Sequence, residues 1–256
     1  MINSLHNKSS MLSMTESLNT SFAGMYKSLQ KLSSGFQINS ASDGPAQLMI
    51  SEQFRTQIAT LNQQIENTSM QIGKYNTASA TLSSMRSELT EMRTLAVGAA
   101  NEGGNSEYVQ QAYAESASVL ESNFNLTLNR AEYNGAVLFD GSAGSLASID
   151  DMSGVDLSSA ESANASIAVI DAKISEIDTA TVDIGATQKN TLDSEIASMR
   201  ISRENLMAAE ANIRATDYAR EFSSFMVEQI KAKSSIALLS HYMMTSDSVL
   251  SLFGNK

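Results

Sequence analysis

The stretch that decides the fold lies near the N-terminus, at residues 11–36: MLSMTESLNTSFAGMYKSLQKLSSGF. Its apolar residues recur every seven positions in one row, and a second row follows four positions behind the first: Met11, Leu18, Met25 and Leu32, then Phe22, Leu29 and Phe36. A seven-residue apolar repeat is typical of an amphipathic helix that pairs with another helix in a coiled coil. The repeat breaks at Gly35, after which Ser42 or Asp43 can cap a second helix that holds Pro45 in its first turn.

The same repeat continues through most of the chain. The second helix is the longest; its row runs from Phe54 to Ala96, and the helix is predicted to end by residues 101–104. A third helix is predicted from residues 105–106 to near Tyr133. The residues expected to form the seam between the long helices lie in both halves of the chain: Ile58, Leu61, Ile65, Ile72, Leu82, Leu89, Leu192, Met199, Leu206 and Ile213.

A short turn-rich segment lies near the midpoint of the chain. Asn134-Gly135 predicts a type I′ hairpin turn, because both central residues of that turn need a positive φ. Residues 136–139 are expected to form a strand, and the Ser-, Gly- and Asp-rich residues 141–160 a loop or a small hairpin. The helical pattern then resumes at Ile167 and leads to a last helix after Thr216-Asp217.

The fold class that follows is all-α dominated: a long antiparallel helical coiled-coil bundle with a small β-hairpin segment near the chain midpoint. Terminal helices lie at both ends and long helices lie inside them, so the chain is expected to go out and return, pairing its two ends. The scarcity of proline permits such long helices, since Pro45 is the single proline among 256 residues.

The charge of the chain is acidic and unevenly spread. Its 28 acidic and 17 basic residues give a net charge of −11, and residues 140–200 hold eleven acids against three bases. Nucleic-acid binding needs a basic surface, so no nucleic-acid partner is expected. No apolar run is long enough to span a membrane, and residues 1–10 lack the pattern of a Sec-type signal peptide. We therefore expect no membrane partner and no cleaved signal peptide.

The residue types that carry chemistry are scarce. There is no cysteine, which excludes disulfides and thiolate sites. The two histidines, His6 and His241, have no carboxylate cluster beside them in the sequence, and interface packing is a better interpretation of them than metal binding. Serines are abundant, but no nucleophile elbow, phosphate loop or dinucleotide fingerprint is present. We therefore expect neither an enzyme nor a cofactor or metal site.

Several motifs resemble those of the bacterial flagellins. Residues 32–41, LSSGFQINSA, resemble the family's LSSGLRINSA, and residues 89–101, LTEMRTLAVGAAN, resemble LQRVRELAVQSAN. Weaker matches follow in the family's order: residues 133–135 for the FNG turn, 184–190 for LGAVQNR, 204–209 for ENLSAA, 213–219 for IEDTDFA and 249–253 for VLSLL. Together the matches cover the chain except for the segment between about residues 140 and 165.

The resemblance implies a minimal bacterial flagellin, a structural subunit that polymerises through its terminal helices into the helical filament used for motility. Residues 1–44 would supply the N-terminal helix of an inner tube domain and a connecting spoke, and residues 216–256 its C-terminal helix. Residues 45–215 would form a long-helix core domain with a hairpin and loop insert at about residues 133–160. The family's large outer domains would lie at about residues 141–160 and are almost absent here.

The resemblance also implies a set of interface residues and partners. The implied filament interface consists of apolar residues of the two terminal helices and the C-terminal tail: Met11, Leu18, Phe22, Met25, Leu29, Leu32, Phe222, Phe225, Ile230, Ile236, Leu239, Val249, Leu250, Leu252 and Phe253. The implied partners are further copies of the chain, a flagellar export chaperone, the filament cap and the hook-junction proteins. The implied location is the extracellular flagellum, reached through the flagellar type III export system.

This sequence departs from the family pattern at the first motif. Gln37 stands where the family has arginine, and Gly44-Pro45 follows Asp43 where the family has Asp-Ala. A proline at this turn is a feature of the hook–filament junction protein, a flagellin relative, which is therefore the alternative function. A second alternative, from another class, is a secreted coiled-coil binding module that forms a closed oligomer of fixed size.

A second departure concerns a possible innate-receptor patch. The vertebrate flagellin receptor reads the family's LQRVREL helix, to which Arg93 and Leu95 correspond here. The neighbouring arginine and glutamate of the family pattern are replaced by Glu91 and Thr94.

Overall fold

The structure, a computed structural model, describes residues 2–101, 103–142 and 144–253, with side chains between residues 9 and 244 of those ranges. The helices and strands, in chain order, are α1 (Ile2–Ser34), α2 (Pro45–Ala99), α3 (Glu107–Asn129), β1 (Glu132–Tyr133), β2 (Ala136–Val137), α4 (Ala160–Thr187), a π-helical turn (Gln188–Leu192), α5 (Asp193–Arg214) and α6 (Tyr218–Phe253). The predicted fold class is confirmed: packed helices dominate, and β1 and β2 form a small antiparallel sheet.

The helices begin and end where local chemistry favours it. Gly35, which follows α1, has a φ of +75°, a left-handed conformation that glycine adopts without a steric penalty. The hydroxyl of Ser106 accepts a hydrogen bond from the Val109 N–H at the start of α3. Ser159 and Ser162 form a reciprocal capping box at the start of α4.

The hairpin differs from the sequence expectation in length. Asn134 and Gly135 have φ values of 51° and 77°, so the predicted type I′ turn is confirmed. Helix α3 ends at Asn129, earlier than the predicted end near Tyr133, because Tyr133 pairs with Ala136 across the hairpin. The predicted strand at 136–139 is shorter as well, because its last two residues leave the sheet and turn into the core.

The chain divides into two compact units, which we call the terminal unit (residues 1–60 and 203–256) and the central unit (residues 61–202). In the central unit, α2 buries a row with alternating spacings of three and four residues: Ala78, Leu82, Met85, Leu89, Met92, Ala96 and Ala99. This row packs in one cluster with residues of α3, the hairpin end and α4, among them Phe124, Phe139, Ile170 and Ile177. Each large apolar side chain buried there contributes about 1.5–3 kcal/mol.

Two ion pairs show the register of α2 against α4. Arg86 Nε lies 2.6 Å from Asp178 Oδ1, and Arg93 Nε lies 2.6 Å from Asp171 Oδ1. Seven residues forward along α2 correspond to seven residues back along α4, so the two helices are antiparallel. Exposed ion pairs of this kind contribute little to stability, so they mark the alignment of the two helices and the apolar core stabilises it.

The segment between β2 and α4 is held along its length by side chains of the neighbouring helices. The Asn125 amide donates to the Met152 carbonyl at 3.0 Å and accepts from its N–H at 2.7 Å. Gln110 Nε2 donates to the Leu157 carbonyl at 2.9 Å. Met152 and Leu157 are each 1% exposed. This segment, expected to be a loop or a small hairpin, has one antiparallel bridge among its described residues, between Asp140 and Ser148, and is otherwise irregular. We call residues 138–159 the strap; its Met152 and Leu157 pack in the core of the central unit.

In the terminal unit, α1 and α6 pack as an antiparallel pair. Lys31 Nζ lies 3.4 Å from Glu221 Oε2, and a side chain at Gly24 would meet Glu228. A position further from the N-terminus of α1 thus meets a position nearer the start of α6. The expected pairing of the two terminal helices is present.

Candidate functional site: the outward face of the terminal helices

The seam between α1 and α6 uses smaller side chains than the sequence suggested. Leu18, Met25 and Leu32 are half-buried at seven-residue spacing, as expected for a seam row. The companion row, however, consists of Ser21 and Ser28, which are 2% and 5% exposed. These serines lie three residues after the first row, whereas the sequence interpretation placed the companion row four residues after it.

Small residues allow α1 and α6 to approach closely. A Cβ added to Gly24 would lie 3.0 Å from Glu228 Cγ, closer than an ordinary van der Waals contact. On α6 the corresponding row has alternating spacings of four and three, and its members are buried or half-buried: Phe225, Glu228, Ala232, Ser235 and Leu239. Serine, glycine and glutamate thus occupy seam positions that leucine or isoleucine fills in a stable coiled coil.

A second set of large apolar residues on both helices points outward. We define the outer stripe as the following exposed residues, with their exposed fractions: Met11 (40%), Phe22 (40%), Tyr26 (73%) and Leu29 (45%) on α1, and Phe222 (56%), Met226 (38%), Ile230 (60%), Ile236 (48%) and Met244 (68%) on α6. Exposed apolar surface on a soluble protein is a common feature of interaction sites. No part of the described chain covers it.

The residues implied at the filament interface therefore fall into three groups. The first group is exposed on the outer stripe: Met11, Phe22, Leu29, Phe222, Ile230 and Ile236. The second is half-buried in the α1–α6 seam: Leu18, Met25, Leu32, Phe225 and Leu239. The third is the tail of Val249, Leu250, Leu252 and Phe253, whose side chains lie outside the described residues.

The residues expected in the long-helix seam are all shielded from solvent to some degree. Ile65, Leu82, Leu89, Leu192 are buried, and Ile58, Leu61, Ile72, Met199, Leu206, Ile213 are half-buried. Leu82 and Leu89 are completely buried in the core of the central unit.

A junction in the terminal unit joins the end of α1 to the end of α5. Phe36 and Ala215 form an antiparallel bridge, and the Arg214 guanidinium lies 4.4 Å from the centre of the Phe36 ring. The same guanidinium is 3.4 Å from a Glu52 carboxylate oxygen. This cluster was not predicted, because a cation–π contact between residues so far apart in the chain has no local sequence pattern.

The turn before α2 is held by one carboxylate. Asp43 Oδ2 accepts hydrogen bonds from the Asn39 and Ser40 N–H groups, each at 3.1 Å. Lys27 Nζ lies 3.3 Å from the other carboxylate oxygen. The backbone hydrogen bond from Asn39, followed by the smaller effects of Ser40 and Lys27, holds the pKa of Asp43 below its ordinary value despite partial burial.

The possible innate-receptor patch is partly occupied within the chain. Arg93 donates to both carboxylate oxygens of Asp171, at 2.6 and 3.3 Å, and this pairing lowers the pKa of Asp171. Leu95 is half-buried and packs against the core of the central unit. Two of its guanidinium nitrogens, Nε and Nη2, are thus engaged by Asp171, while 46% of the Arg93 side chain remains exposed.

Known protein families provide the deciding observation. The bacterial flagellin N-terminal helical region matches residues 5–144, and the bacterial flagellin C-terminal helical region matches residues 167–253. The chain belongs to the bacterial flagellin family. The unmatched residues between the two regions include most of the strap, where the resemblance placed the missing outer domains.

Individual flagellins match almost from end to end. Flagellin FlaB2 of Treponema pallidum is 29% identical over 96% of this chain and 98% of its own length. The flagellin of Halalkalibacterium halodurans is 31% identical over 88% of this chain and 90% of its own length. The flagellin of Bacillus subtilis is 28% identical over 92% and 94%, respectively.

This flagellin is therefore a structural subunit that polymerises with further copies into the flagellar filament, and it is not an enzyme. The matches do not favour the two alternatives, a hook–filament junction protein and a coiled-coil binding module. Within the part of the chain that the structure describes, no helix is both long enough and apolar enough to cross a membrane.

Proposed function

We propose that the outer stripe is the surface through which each subunit contacts its neighbours in the filament. In this proposal, residues 1–44 and 216–256 form the inner tube of the filament, and residues 45–215 form the shell around it. The observation that carries the proposal is the exposure of large apolar side chains on both α1 and α6, such as Phe222 at 56% and Ile230 at 60%. Each one left in water forgoes about 1.5–3 kcal/mol of burial.

The composition of the α1–α6 seam supports this assignment. Buried serines and a glycine provide little apolar area inside the pair, so the pair gains little stability from its own contacts. Contacts with other subunits then supply the missing burial and stabilise the helices by mass action. A surface on one subunit that meets a different surface on the next, without closing a ring, produces a helical polymer.

A matched pair of substitutions tests the proposal. Ile230 on α6 and Ile201 on α5 are 60% and 61% exposed, so either can be changed to glutamate without opening a core. We expect Ile230→Glu to prevent the extension of filament seeds by purified subunits, because it would bury a charge at the contact. Ile201→Glu, in the central unit, is the control and should extend seeds at close to the normal rate.

The readout is the length of filaments grown from sonicated seeds, measured by electron microscopy. Circular dichroism of both variants verifies that the helices are retained. The proposal would be wrong if Ile230→Glu extended seeds as fast as Ile201→Glu while both remained folded.

We also propose that Arg93 and Leu95 form the contact for the vertebrate innate receptor that the family resemblance implies. The exposure of about half of the Arg93 side chain supports it, and the pairing with Asp171 limits it. Changing Glu91 to arginine restores the family residue and should raise receptor signalling in reporter cells. An unchanged signal would count against the patch.

By family analogy we propose that the chain leaves the cell through the flagellar type III system without a cleaved signal peptide and functions in the extracellular flagellum. Its further partners would be an export chaperone, the filament cap and the hook-junction proteins. Secretion in a strain without the flagellar export apparatus tests the route. Normal secretion in that strain, or a shortened N-terminus on the exported protein, would contradict it.

A further inference from the structure

The fourteen methionines of the chain are distributed in a way that core packing alone does not explain. Met85, Met92 and Met152 are at most 1% exposed in the central unit, where methionine serves as an adaptable core filler. Met11, Met226 and Met244 of the terminal helices are 40%, 38% and 68% exposed. These three lie on the outer stripe, whereas the other exposed methionines lie outside it: Met49, Met70, Met207 and Met243. The buried group provides an internal reference within the same molecule.

The helix geometry places the exposed methionines among the largest apolar residues of the stripe. Met226 lies four residues after Phe222 and four before Ile230, so the three share one face of α6. Met244 is eighteen residues after Met226, which is five full helical turns at 3.6 residues per turn and returns it to the same face. Met11 has the same relation to Leu29 on α1.

Oxidation changes a methionine from an apolar to a polar residue. A peroxide transfers one oxygen atom to the thioether sulfur: an S–O bond forms, the O–O bond of hydrogen peroxide breaks, and water leaves. The sulfur loses two electrons and the peroxide gains them. The sulfoxide oxygen is a strong hydrogen-bond acceptor, so burying it against apolar side chains without a donor is unfavourable.

We propose that Met11, Met226 and Met244 form an oxidation site, with peroxides as its substrate class, that blocks the free subunit from joining a filament. The inference rests on the proposed function of the outer stripe. Contacts between subunits cover the same side chains in the polymer, so the filament protects the site and only the unassembled subunit is sensitive. Reduction of the sulfoxides restores assembly.

The first experiment compares free subunits with assembled filaments. Both are treated with hydrogen peroxide, and peptide mass spectrometry measures sulfoxide at each methionine. In the free subunit we expect the three outer-stripe methionines to oxidise well before Met85 and Met92. In filaments the outer-stripe methionines should oxidise at least about tenfold more slowly than in the free subunit, because solvent access controls the rate.

The second experiment measures extension of seeds. Oxidised subunits should extend seeds about tenfold more slowly for each sulfoxide that must be buried. Treatment with a mixture of the two methionine sulfoxide reductases, one for each sulfoxide epimer, should restore the rate. The triple variant Met11→Leu, Met226→Leu and Met244→Leu should extend seeds before and after peroxide at similar rates, since leucine has nearly the same volume and is not oxidised.

A polar substitution distinguishes the effect of a polar group on the outer stripe from general oxidative damage to the subunit. Met226→Gln mimics the polarity of the sulfoxide and should slow extension without any peroxide. Met70→Gln is the control, because Met70 is 56% exposed but lies in the central unit, and this variant should extend seeds normally.

The outcomes distinguish this inference from the proposed function. If Ile230→Glu stops extension but fully oxidised wild-type subunits extend seeds at the normal rate, the outer stripe is the contact and the oxidation site is wrong. If Ile230→Glu and oxidised subunits both extend seeds normally, the proposed contact surface itself is wrong. If the triple leucine variant remains as sensitive to peroxide as the wild type, the sensitivity lies elsewhere and the inference is overturned.

Discussion

The central and terminal units differ in where their large apolar side chains lie. The central unit buries a continuous core, which includes Leu82, Phe124 and Ile170 at 0% exposure. In the described part of the terminal unit the fully buried apolar residues are Ile38 and Ala232. The large apolar residues of the α1–α6 seam are only half-buried, and those of the outer stripe are exposed. A unit whose large apolar residues face outward depends on neighbours for its stability.

The two units also differ in net charge. Residues 61–202 carry 19 acidic and 7 basic residues, whereas residues 1–60 and 203–256 together carry 9 and 10. Copies of a nearly neutral unit can pack together without strong repulsion, but copies of a strongly acidic unit repel and remain solvated. The difference supports the proposal that subunits contact one another through the terminal unit.

The largest difference between the units is expected when one phenylalanine in each is changed to alanine. Phe124 is fully buried, and Phe124→Ala should lower the free energy of unfolding by about 3–5 kcal/mol because it leaves a cavity. Phe222 is 56% exposed, and Phe222→Ala should change the stability of the free subunit little but slow the extension of seeds. Urea unfolding and seed extension measure the two effects. A similar loss of stability in both variants would remove the contrast between the units.

Two arginines offer a comparison of intermediate size. The Arg214 side chain is 13% exposed and stacks on Phe36, so Arg214→Ala should cost about 1–2 kcal/mol of stability in the terminal unit. Arg93 is much more exposed, and Arg93→Ala should leave the thermal midpoint nearly unchanged. Thermal unfolding followed by circular dichroism tests both, and a larger loss for Arg93→Ala would reverse the interpretation.

Two helical glycines give a smaller effect of opposite sign. A side chain at Gly185 of α4 meets nothing within 4 Å, so Gly185→Ala should raise stability by about 0.5–1 kcal/mol through the higher helix propensity of alanine. At Gly24 the added Cβ would lie 3.0 Å from Glu228 Cγ, so part of the gain is lost in moving that side chain. Urea titration should rank Gly185→Ala above Gly24→Ala, and the reverse order would argue against a close approach of α1 and α6.

The smallest expected effect is a pH dependence confined to the terminal unit. Because the folded-state pKa of Asp43 lies below its ordinary value of 3.8, folding favours the carboxylate. Its contribution is fully present above the ordinary pKa and is lost as the pH falls through the lower folded-state pKa. Between pH 6 and pH 3 the thermal midpoint of the wild type should fall more than that of Asp43→Asn. Equal slopes would show that Asp43 does not contribute.

The sequence predicted the parts of the fold that depend on local chemistry. The Asn134-Gly135 turn, the break at Gly35 and the cap at Ser106 all appear where their residue types favour them. The seven-residue repeat identified the long helices and the general direction of the chain. It did not predict the π-helical turn at 188–192, because nothing in the composition of QKNTL distinguishes it from an ordinary α-helical turn.

In the seam between α1 and α6, the apolar repeat did not identify which residues face the partner helix. On α1 the first row, which includes Leu18 and Met25, has two alternative companion rows. The sequence interpretation chose the apolar Phe22 and Leu29 over Ser21 and Ser28. In an isolated coiled coil that choice is correct, because apolar residues line the seam. Here the apolar companions face outward and the serines face α6. The alternating three- and four-residue spacing of small residues was the available signal.

Hydrogen exchange measured on the free subunit and on the filament tests the central claim most directly. In the free subunit, backbone amides of residues 9–34 and 218–244 should exchange on the order of a hundredfold faster than those of residues 78–96, because few buried apolar contacts hold the terminal helices. In the filament the terminal helices should gain protection while residues 78–96 change little. If α1 and α6 are already as protected in the free subunit as the core of the central unit, the dependence of the terminal unit on its neighbours is contradicted.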